Sequence, residues 1–198
     1  LTGDDRYLAS GDALYTLYAL LGAEGHGAFT FDTDQAMQRQ PQRLAATRVL
    51  WLPRADTLDA RFADALVAWV RAGGTLIVTD PDAFTRAPDG RPLTAVRDAL
   101  VGAPLGGARA GRTLRIPAGA LGPGQPADEW FVPLYAGTAR AFAGVPADAT
   151  VLARFLDDAP AVLSRPVGAG RVIAFSAQVT DPQVLTDPID AVTFVRAL

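Results

Sequence analysis

The chain has 198 residues, with 18 basic and 21 acidic side chains and a formal net charge of −3. All the basic residues are arginine, histidine occurs once, at His26, and neither lysine nor cysteine is present. This composition excludes a thiol nucleophile, a disulfide, a cysteine-based metal site and a lysine Schiff base, and it leaves too few histidines for a multi-histidine metal centre within one chain.

The opening third of the chain combines one clear helix pattern with weaker ones. A helix capped by Ser10 or Asp12 is predicted to run to Gly22, because apolar residues recur there at helical spacing. A short strand is predicted at 28–31. The polar segment 32–47 is predicted to contain a short helical turn.

The centre of the chain has the pattern of a strand–helix–strand unit. The continuous apolar run 48–52 is typical of a strand buried on both faces. Thr57 or Asp59 can cap a helix that ends at the glycine pair 73–74, and a β-branched strand follows at 75–79. Short connections of this kind predict parallel strands joined by a right-handed crossover.

The second half of the chain has a different pattern. A helix is predicted at 93–101, and the glycine- and proline-rich range 102–130 is predicted to be an insertion or loop, interrupted by a possible strand at 112–116. A β-meander follows, and the chain is predicted to close with a helix over 189–198. The three strands of the predicted meander lie at 151–155, 161–164 and 171–176.

Two segments carry a resemblance to a known superfamily. The first joins 49–53 to the sequence ADALVAWVRAGGTLIVT at 63–79, and the second joins Pro160-Ala161-Val162 to VGAGRVIAF at 167–175. The first resembles the strand, loop and helix unit of class I glutamine amidotransferase-like domains. The second is similar to a hairpin in the non-catalytic branch of that superfamily, which includes the trimerisation domain of family 42 β-galactosidases.

The resemblance makes the missing residues informative. Catalytic members of the superfamily use a cysteine with a later histidine and glutamate, but this chain has no cysteine and its histidine lies near the N-terminus. None of its serines lies in a G-x-S-x-G elbow, and a serine triad would have to use His26. We therefore expect this domain not to be an enzyme by itself.

Polar residues follow two of the predicted strands and give a candidate ligand site. Arg54 follows the strand 48–52, and Asp80 and Asp82 follow the strand 75–79. Ligands of open α/β sheets bind at the carboxyl ends of the strands, so these three side chains could line a rim pocket. The alternative reading is a turn in which aspartate caps the following residues, and a hard-cation site is a remoter one. No cofactor and no metal are expected.

Trp130, Phe131 and Tyr135 form an aromatic run after the glycine- and proline-rich range. If these side chains are exposed, they could form a protein interface or a platform for stacking sugars. If they are buried, they form a strand or anchor the preceding loop.

These patterns together predict one amidotransferase-like domain over 1–198, excised from a larger protein. Its expected fold is α/β: a three-layer α/β/α flavodoxin-like sandwich with a mainly parallel sheet and a C-terminal antiparallel β-meander. The leading hypothesis is a non-catalytic accessory or oligomerisation domain of a larger, β-galactosidase-like protein. The alternatives are a small-molecule or sugar-binding module at the strand ends and a hydrolase with an unrecognised carboxylate site.

The expected partners are other domains or subunits of the parent protein, with carbohydrate as an open alternative. A pI of about 5.1 argues against nucleic acid. No apolar run approaches the roughly 18 residues of a membrane span. The sequence does not predict a compartment.

Overall fold

The computed structural model describes residues 15–19, 30, 32–110, 113–121, 127–134 and 139–179. The helices in these ranges are α1 (residues 15–19), α2 (Asp34–Arg39), α3 (Pro41–Ala46), α4 (Ala60–Arg71) and α5 (Thr94–Leu100). The strands are β1 (Val49–Leu52), β2 (Thr75–Val78), β3 (Leu105–Ala108), β4 (Thr113–Ile116), β5 (Trp130–Pro133), β6 (Arg140–Phe142), β7 (Thr150–Phe155), β8 (Pro160–Val167) and β9 (Gly170–Phe175).

Helix α4 begins at the cap that the sequence predicts. Asp59 Oδ1 accepts the backbone N–H groups of Arg61 (2.8 Å) and Phe62 (3.2 Å), which have no partner within the helix. The apolar stripe of the helix, which includes Phe62, Leu66 and Val70, is buried against the sheet. The amphipathic pattern therefore directs α4 onto the core.

The same helix ends in a Schellman motif. Gly73 has φ +122°, its N–H donates to Val70 O (2.9 Å), and the N–H of Gly74 donates to Trp69 O (3.1 Å). Gly74 also lies under the indole of Trp69, where an added Cβ would overlap the ring. The glycine pair thus ends the helix and lets the chain enter β2 at once.

One sheet holds seven of the nine described strands, in the order β1-β2-β9-β8-β7-β4-β5. β1 pairs with β2 and β2 with β9 in parallel, whereas the other four pairings are antiparallel. The expectation of a mainly parallel sheet is therefore wrong. Tight turns join β7 to β8 and β8 to β9, and such turns can connect only antiparallel strands. The pairings of β4 with β5 and with β7 are antiparallel as well.

The C-terminal antiparallel meander is confirmed as β7, β8 and β9. Its first turn contains Asp157 and Asp158. The range 102–130 contains β3 and β4, and β4 is an integral strand of the large sheet, between β7 and β5. Strand β3 pairs with β6 in a separate two-stranded ribbon. That 102–130 is an insertion stays a prediction.

Both faces of the sheet are apolar. Side chains of β2 and β9, such as Leu76 and Val172, join α2, α3, α4 and α5 in one buried cluster. The alternate side chains, such as Ile77 and Ile173, join β4 and β5 in a second cluster on the opposite face. In the described part of the chain, the fold is thus a mixed α/β sheet with α2, α3, α4 and α5 packed on one face. The closing helix predicted at 189–198 lies outside the described residues.

Strand β1 is less buried than the sequence predicts. Val49 is 56% exposed and the next three residues are half-buried, because β1 is an edge strand of the sheet in the part of the chain that the structure describes. The predicted strand at 28–31 falls almost entirely outside the described residues.

The two segments that resemble the amidotransferase-like superfamily pack against each other. The β8–β9 turn lies on the end of α4, where the N–H of Ala169 donates to Arg71 O (2.9 Å) and the N–H of Arg171 donates to Gly74 O (3.2 Å). A Cβ at Gly170 would overlap the backbone oxygens of Val70 and Gly74. Glycine in both motifs therefore permits one close backbone approach.

Candidate functional site

The carboxyl ends of the three parallel strands lie side by side. Leu52 pairs with Val78, and Val78 pairs with Ala174, so the loops after β1, β2 and β9 leave the sheet at the same edge. These loops form a small recess of about 100 Å³. We call it the strand-end recess; its lining residues are Arg54, Asp56, Asp80, Pro81, Asp82 and Gln178. The structure thus brings together the three residues that the sequence singled out.

Asp80 is the most buried acid of the strand-end recess. Its Oδ2 accepts the N–H of Ala55 (2.9 Å), and its Oδ1 accepts the N–H of Asp82 (2.9 Å). Both carboxylate oxygens therefore bind backbone, one across to the loop after β1 and one within its own turn. This is the capping role that the sequence offered as the alternative to a ligand site.

Further backbone hydrogen bonds join the loops after β1 and β2. The N–H of Phe84 donates to Ala55 O (2.8 Å), and the N–H groups of Thr85 and Arg86 donate to Asp56 O (3.1 Å each). Phe84 is buried with φ +62°, a left-handed conformation that is rare for an aromatic residue. Because packing and hydrogen bonds hold this conformation, the loops are tightly tied to each other.

Two arginines from other elements bring positive charge to the loop that follows β2. Arg97 on α5 lies beneath the loop, where its Nη1 donates to Pro81 O (3.1 Å) and Ala83 O (2.8 Å). Arg140 on β6 pairs with Asp82 through Nη1 and Oδ1 (3.3 Å). Asp80 is therefore already engaged by backbone donors and Asp82 by arginine.

Burial has the largest effect on the pKa values of Asp80 and Arg97. Desolvation raises the pKa of Asp80 above its ordinary value, although backbone hydrogen bonds from Ala55 and Asp82 oppose the shift. Desolvation also lowers the pKa of Arg97, against the attraction of Asp82 and Asp80. A carboxyl with a raised pKa is a common mark of a catalytic acid. Here, however, both of its oxygens hold the backbone.

The size of the strand-end recess limits what it can bind. Its volume corresponds to about three water molecules at roughly 30 Å³ each, whereas ligand pockets span about 300–1,000 Å³. Within the described ranges, no three histidine, aspartate or glutamate side chains come together as a metal site would require.

The sequence reasoning missed four residues of this region: Asp56, Arg97, Arg140 and Gln178. Gln178 follows β9, and a strand running parallel beside β2 would have placed it at this edge. The pattern of a meander gave no sign that its last strand pairs with β2. Arg97 and Arg140 arrive from separate elements, and no spacing in the sequence indicates their approach.

The aromatic run divides between core and surface. Trp130 is buried in the second cluster, whereas the Phe131 side chain on the other face of β5 is 45% exposed. Strand β5 is an edge strand in the described part of the sheet. Tyr135 and His26 lie outside the described residues. An interface at this run stays a prediction, with Phe131 as its exposed member.

A larger pocket lies away from the strand ends. It has a volume of about 460 Å³ and is lined by α2, α3 and α4. The amphipathic pattern of α4 predicts its buried face but not the gap that the two short helices leave beside it. No helix in the described part of the chain is long and apolar enough to cross a membrane.

No protein-family model matches the chain, and no curated protein matches it by sequence. Solved structures do share its fold. A protein from Bacteroides uniformis described as ThuA-like has a TM-score of 0.68 at 13% identity, with 96% of this chain and 84% of that chain covered. A cold-adapted β-galactosidase from Rahnella sp. R3 has a TM-score of 0.64 at 16% identity, with 93% and 26% covered.

An exo-β-1,4-mannosidase from Opitutaceae bacterium strain TAV5 has a TM-score of 0.60 at 17% identity, with 96% of this chain and 31% of that chain covered. The chain therefore spans about a third of the mannosidase and about a quarter of the Rahnella β-galactosidase. At such identities the likeness shows a related fold alone.

Proposed function

We propose that this chain is a non-catalytic accessory domain of a larger, carbohydrate-active protein and that it packs against other domains or subunits of that protein. The observation that carries this proposal is the small size of the recess at the carboxyl ends of the parallel strands. At the edge where an α/β enzyme would bind its substrate, the loops are tied together and leave a recess of about 100 Å³.

Two of the three fold neighbours support the accessory role. In the mannosidase and the β-galactosidase, the matching fold is a minor part of a much longer chain. Under this proposal, the chain belongs to the non-catalytic branch of the amidotransferase-like superfamily. Its second apolar face would then be covered by further helices, as in a three-layer sandwich.

Strand β5 is the surface that we propose for docking. β5 is an edge strand among the described strands, and edge strands present backbone groups to a partner. Phe131 adds an exposed aromatic ring beside it. Leu156, which is 61% exposed in the β7–β8 turn, offers a matched apolar residue elsewhere on the surface.

The experiment compares the full-length parent protein with three variants: a deletion of 1–198, Phe131→Ser and Leu156→Ser. Light scattering after size exclusion reports the oligomeric state, and the parent's own activity is measured beside it. We expect the deletion to change the assembly, Phe131→Ser to weaken it and Leu156→Ser to leave it intact. An unchanged assembly and an unchanged activity after the deletion would contradict the proposal.

A small-molecule site at the strand-end recess is the second candidate, favoured by the convergence of Arg54, Asp80 and Asp82. Arg54→Gln separates the two functions, because its side chain lines the recess and makes none of the hydrogen bonds that tie the loops. An accessory domain keeps its assembly with this substitution. A binding module loses stabilisation by its ligand, which thermal shift with a panel of monosaccharides detects.

A further inference from the structure

The pocket between α2, α3 and α4 is unlike the strand-end recess in size and chemistry. Its volume of about 460 Å³ lies within the usual range for small-molecule sites. The apolar part of its wall includes Met37, Leu44 and Phe62, one from each helix, and all three belong to the first buried cluster. We call it the helical pocket.

The walls of the helical pocket are fixed by local structure. The helices α2 and α3 are joined at Gln40, and α3 begins with Pro41 at its first position. Gln38 Nε2 donates to Asp59 Oδ1 (2.8 Å), which ties α2 to the start of α4. The short helices are thereby held beside α4 without filling the space between them.

The apolar wall of the helical pocket is narrow. Met37, Leu44 and Phe62 are at least nine-tenths buried, so they turn only a small apolar surface toward the space, against which water gains few hydrogen bonds. A slender apolar chain would contact that surface. The apolar wall therefore selects for hydrocarbon.

The mouth of the helical pocket carries positive charge. Arg39 from α2 and Arg61 from α4 both line it, and in the described part of the chain neither forms an ion pair. Six other described arginines each pair with a carboxylate: Arg43, Arg91, Arg109, Arg115, Arg140 and Arg165.

Asp59, which caps α4 two residues before Arg61, forms no ion pair with Arg39 or Arg61. Asp59 is not a lining residue, and its Oδ1 already accepts three N–H groups, from Gln38, Arg61 and Phe62. Two guanidinium groups are thus available to hydrogen-bond a carboxylate.

We propose that the helical pocket binds a small amphipathic carboxylate. The hydrocarbon chain lies against Met37, Leu44 and Phe62, and the carboxylate is held by Arg39 and Arg61 at the mouth. This site is separate from the strand-end recess and does not depend on the accessory role of the domain.

The test uses sodium decanoate, with decan-1-ol as the neutral probe of the same length, in isothermal titration calorimetry with the whole chain. We expect decanoate to bind one to one, about tenfold tighter than decanol, since each exposed charge contact adds only modestly. That preference shrinks in 1 M salt, where the screening length is about 3 Å. Absence of binding, or equal binding of the two probes, would overturn the proposal.

Three variants test whether the two probes bind in the helical pocket. Arg39→Gln with Arg61→Gln removes the preference for decanoate and leaves decanol binding unchanged, whereas Arg48→Gln, an exposed arginine outside the pocket, preserves it. Ala65→Phe fills the pocket and weakens both probes at an unchanged melting temperature. If Ala65→Phe fails to fold, the arginine variants still decide. A preference that survives the double substitution refutes the site.

Discussion

Substituting Gly170 by alanine tests the contact on which the two superfamily-like motifs meet. The new Cβ would overlap Val70 O and Gly74 O, which belong to the end of α4 and the start of β2. Backbone oxygens cannot rotate away as a side chain can, so the β8–β9 turn has to move. Overpacking of this kind costs about 3 kcal/mol.

The displacement also weakens hydrogen bonds that cross the contact. Ala169 to Arg71 and Arg171 to Gly74 are the two bonds at risk, and losing one of them adds about 1 kcal/mol. We therefore expect Gly170→Ala to lower the free energy of unfolding by about 4 kcal/mol. For a chain of this length, that corresponds to roughly 8–16 °C in melting temperature.

The assay is urea unfolding followed by far-ultraviolet circular dichroism, with Gly107→Ala as the matched control. Nothing lies within 4 Å of a Cβ built at Gly107, so the control should unfold as the native chain does. A Gly170→Ala variant within about 1 kcal/mol of the control would refute the close approach, because overpacking against backbone costs more than that.

Three further substitutions test other parts of the structure. Burial raises the pKa of Asp80 above its ordinary 3.8, so the native chain should lose stability relative to Asp80→Asn as the pH rises from 3.8 through the raised pKa. Urea unfolding at stepped pH measures this difference, and a difference that does not depend on pH would contradict the shift. Thr79→Val removes the acceptor of Trp51 Nε1 (3.1 Å) and should cost about 1 kcal/mol, followed by tryptophan emission during unfolding; no loss would contradict the bond. Arg165→Gln removes donors to the last carbonyls of α5, so amide exchange in α5 should accelerate, and unchanged exchange would count against this role.

Local patterns predicted the central strand–helix–strand unit well. Asp59 and the glycine pair 73–74 act within a few residues of their own positions, so the sequence is sufficient to mark both ends of α4. The meander was predictable for the same reason, because its turns are short. What the local patterns lack is the partner of each strand.

The pairing of β2 with β9 explains what the sequence could not predict. These strands are about 95 residues apart, and nothing in either strand specifies the other. That pairing brings Gln178 to the strand-end recess. On the other side of β9 in the sheet lie β8, β7, β4 and β5, and their antiparallel pairings make the sheet mostly antiparallel. The three predicted recess residues were found because they follow strands of one local unit. The arginines that engage the neighbouring loop arrive from elsewhere in the fold.

The missing cysteine and the hydrogen bonds of Asp80 bear on the same question, whether the strand ends hold a catalytic site. The chain has no cysteine, the nucleophile of the catalytic members of the superfamily that it resembles. At the strand ends, the most buried acid instead binds the backbone through both oxygens. These two observations motivate the accessory role more strongly together than either does alone.

The decisive measurement is the oligomeric state and activity of the full-length parent protein, with and without residues 1–198, by light scattering and by assay of its own reaction. The accessory role predicts that the deletion alters the assembly, whereas Arg54→Gln leaves both assembly and activity as they are. A parent that keeps both its assembly and its activity without this domain, or that loses activity through Arg54→Gln while its assembly is intact, would contradict that role.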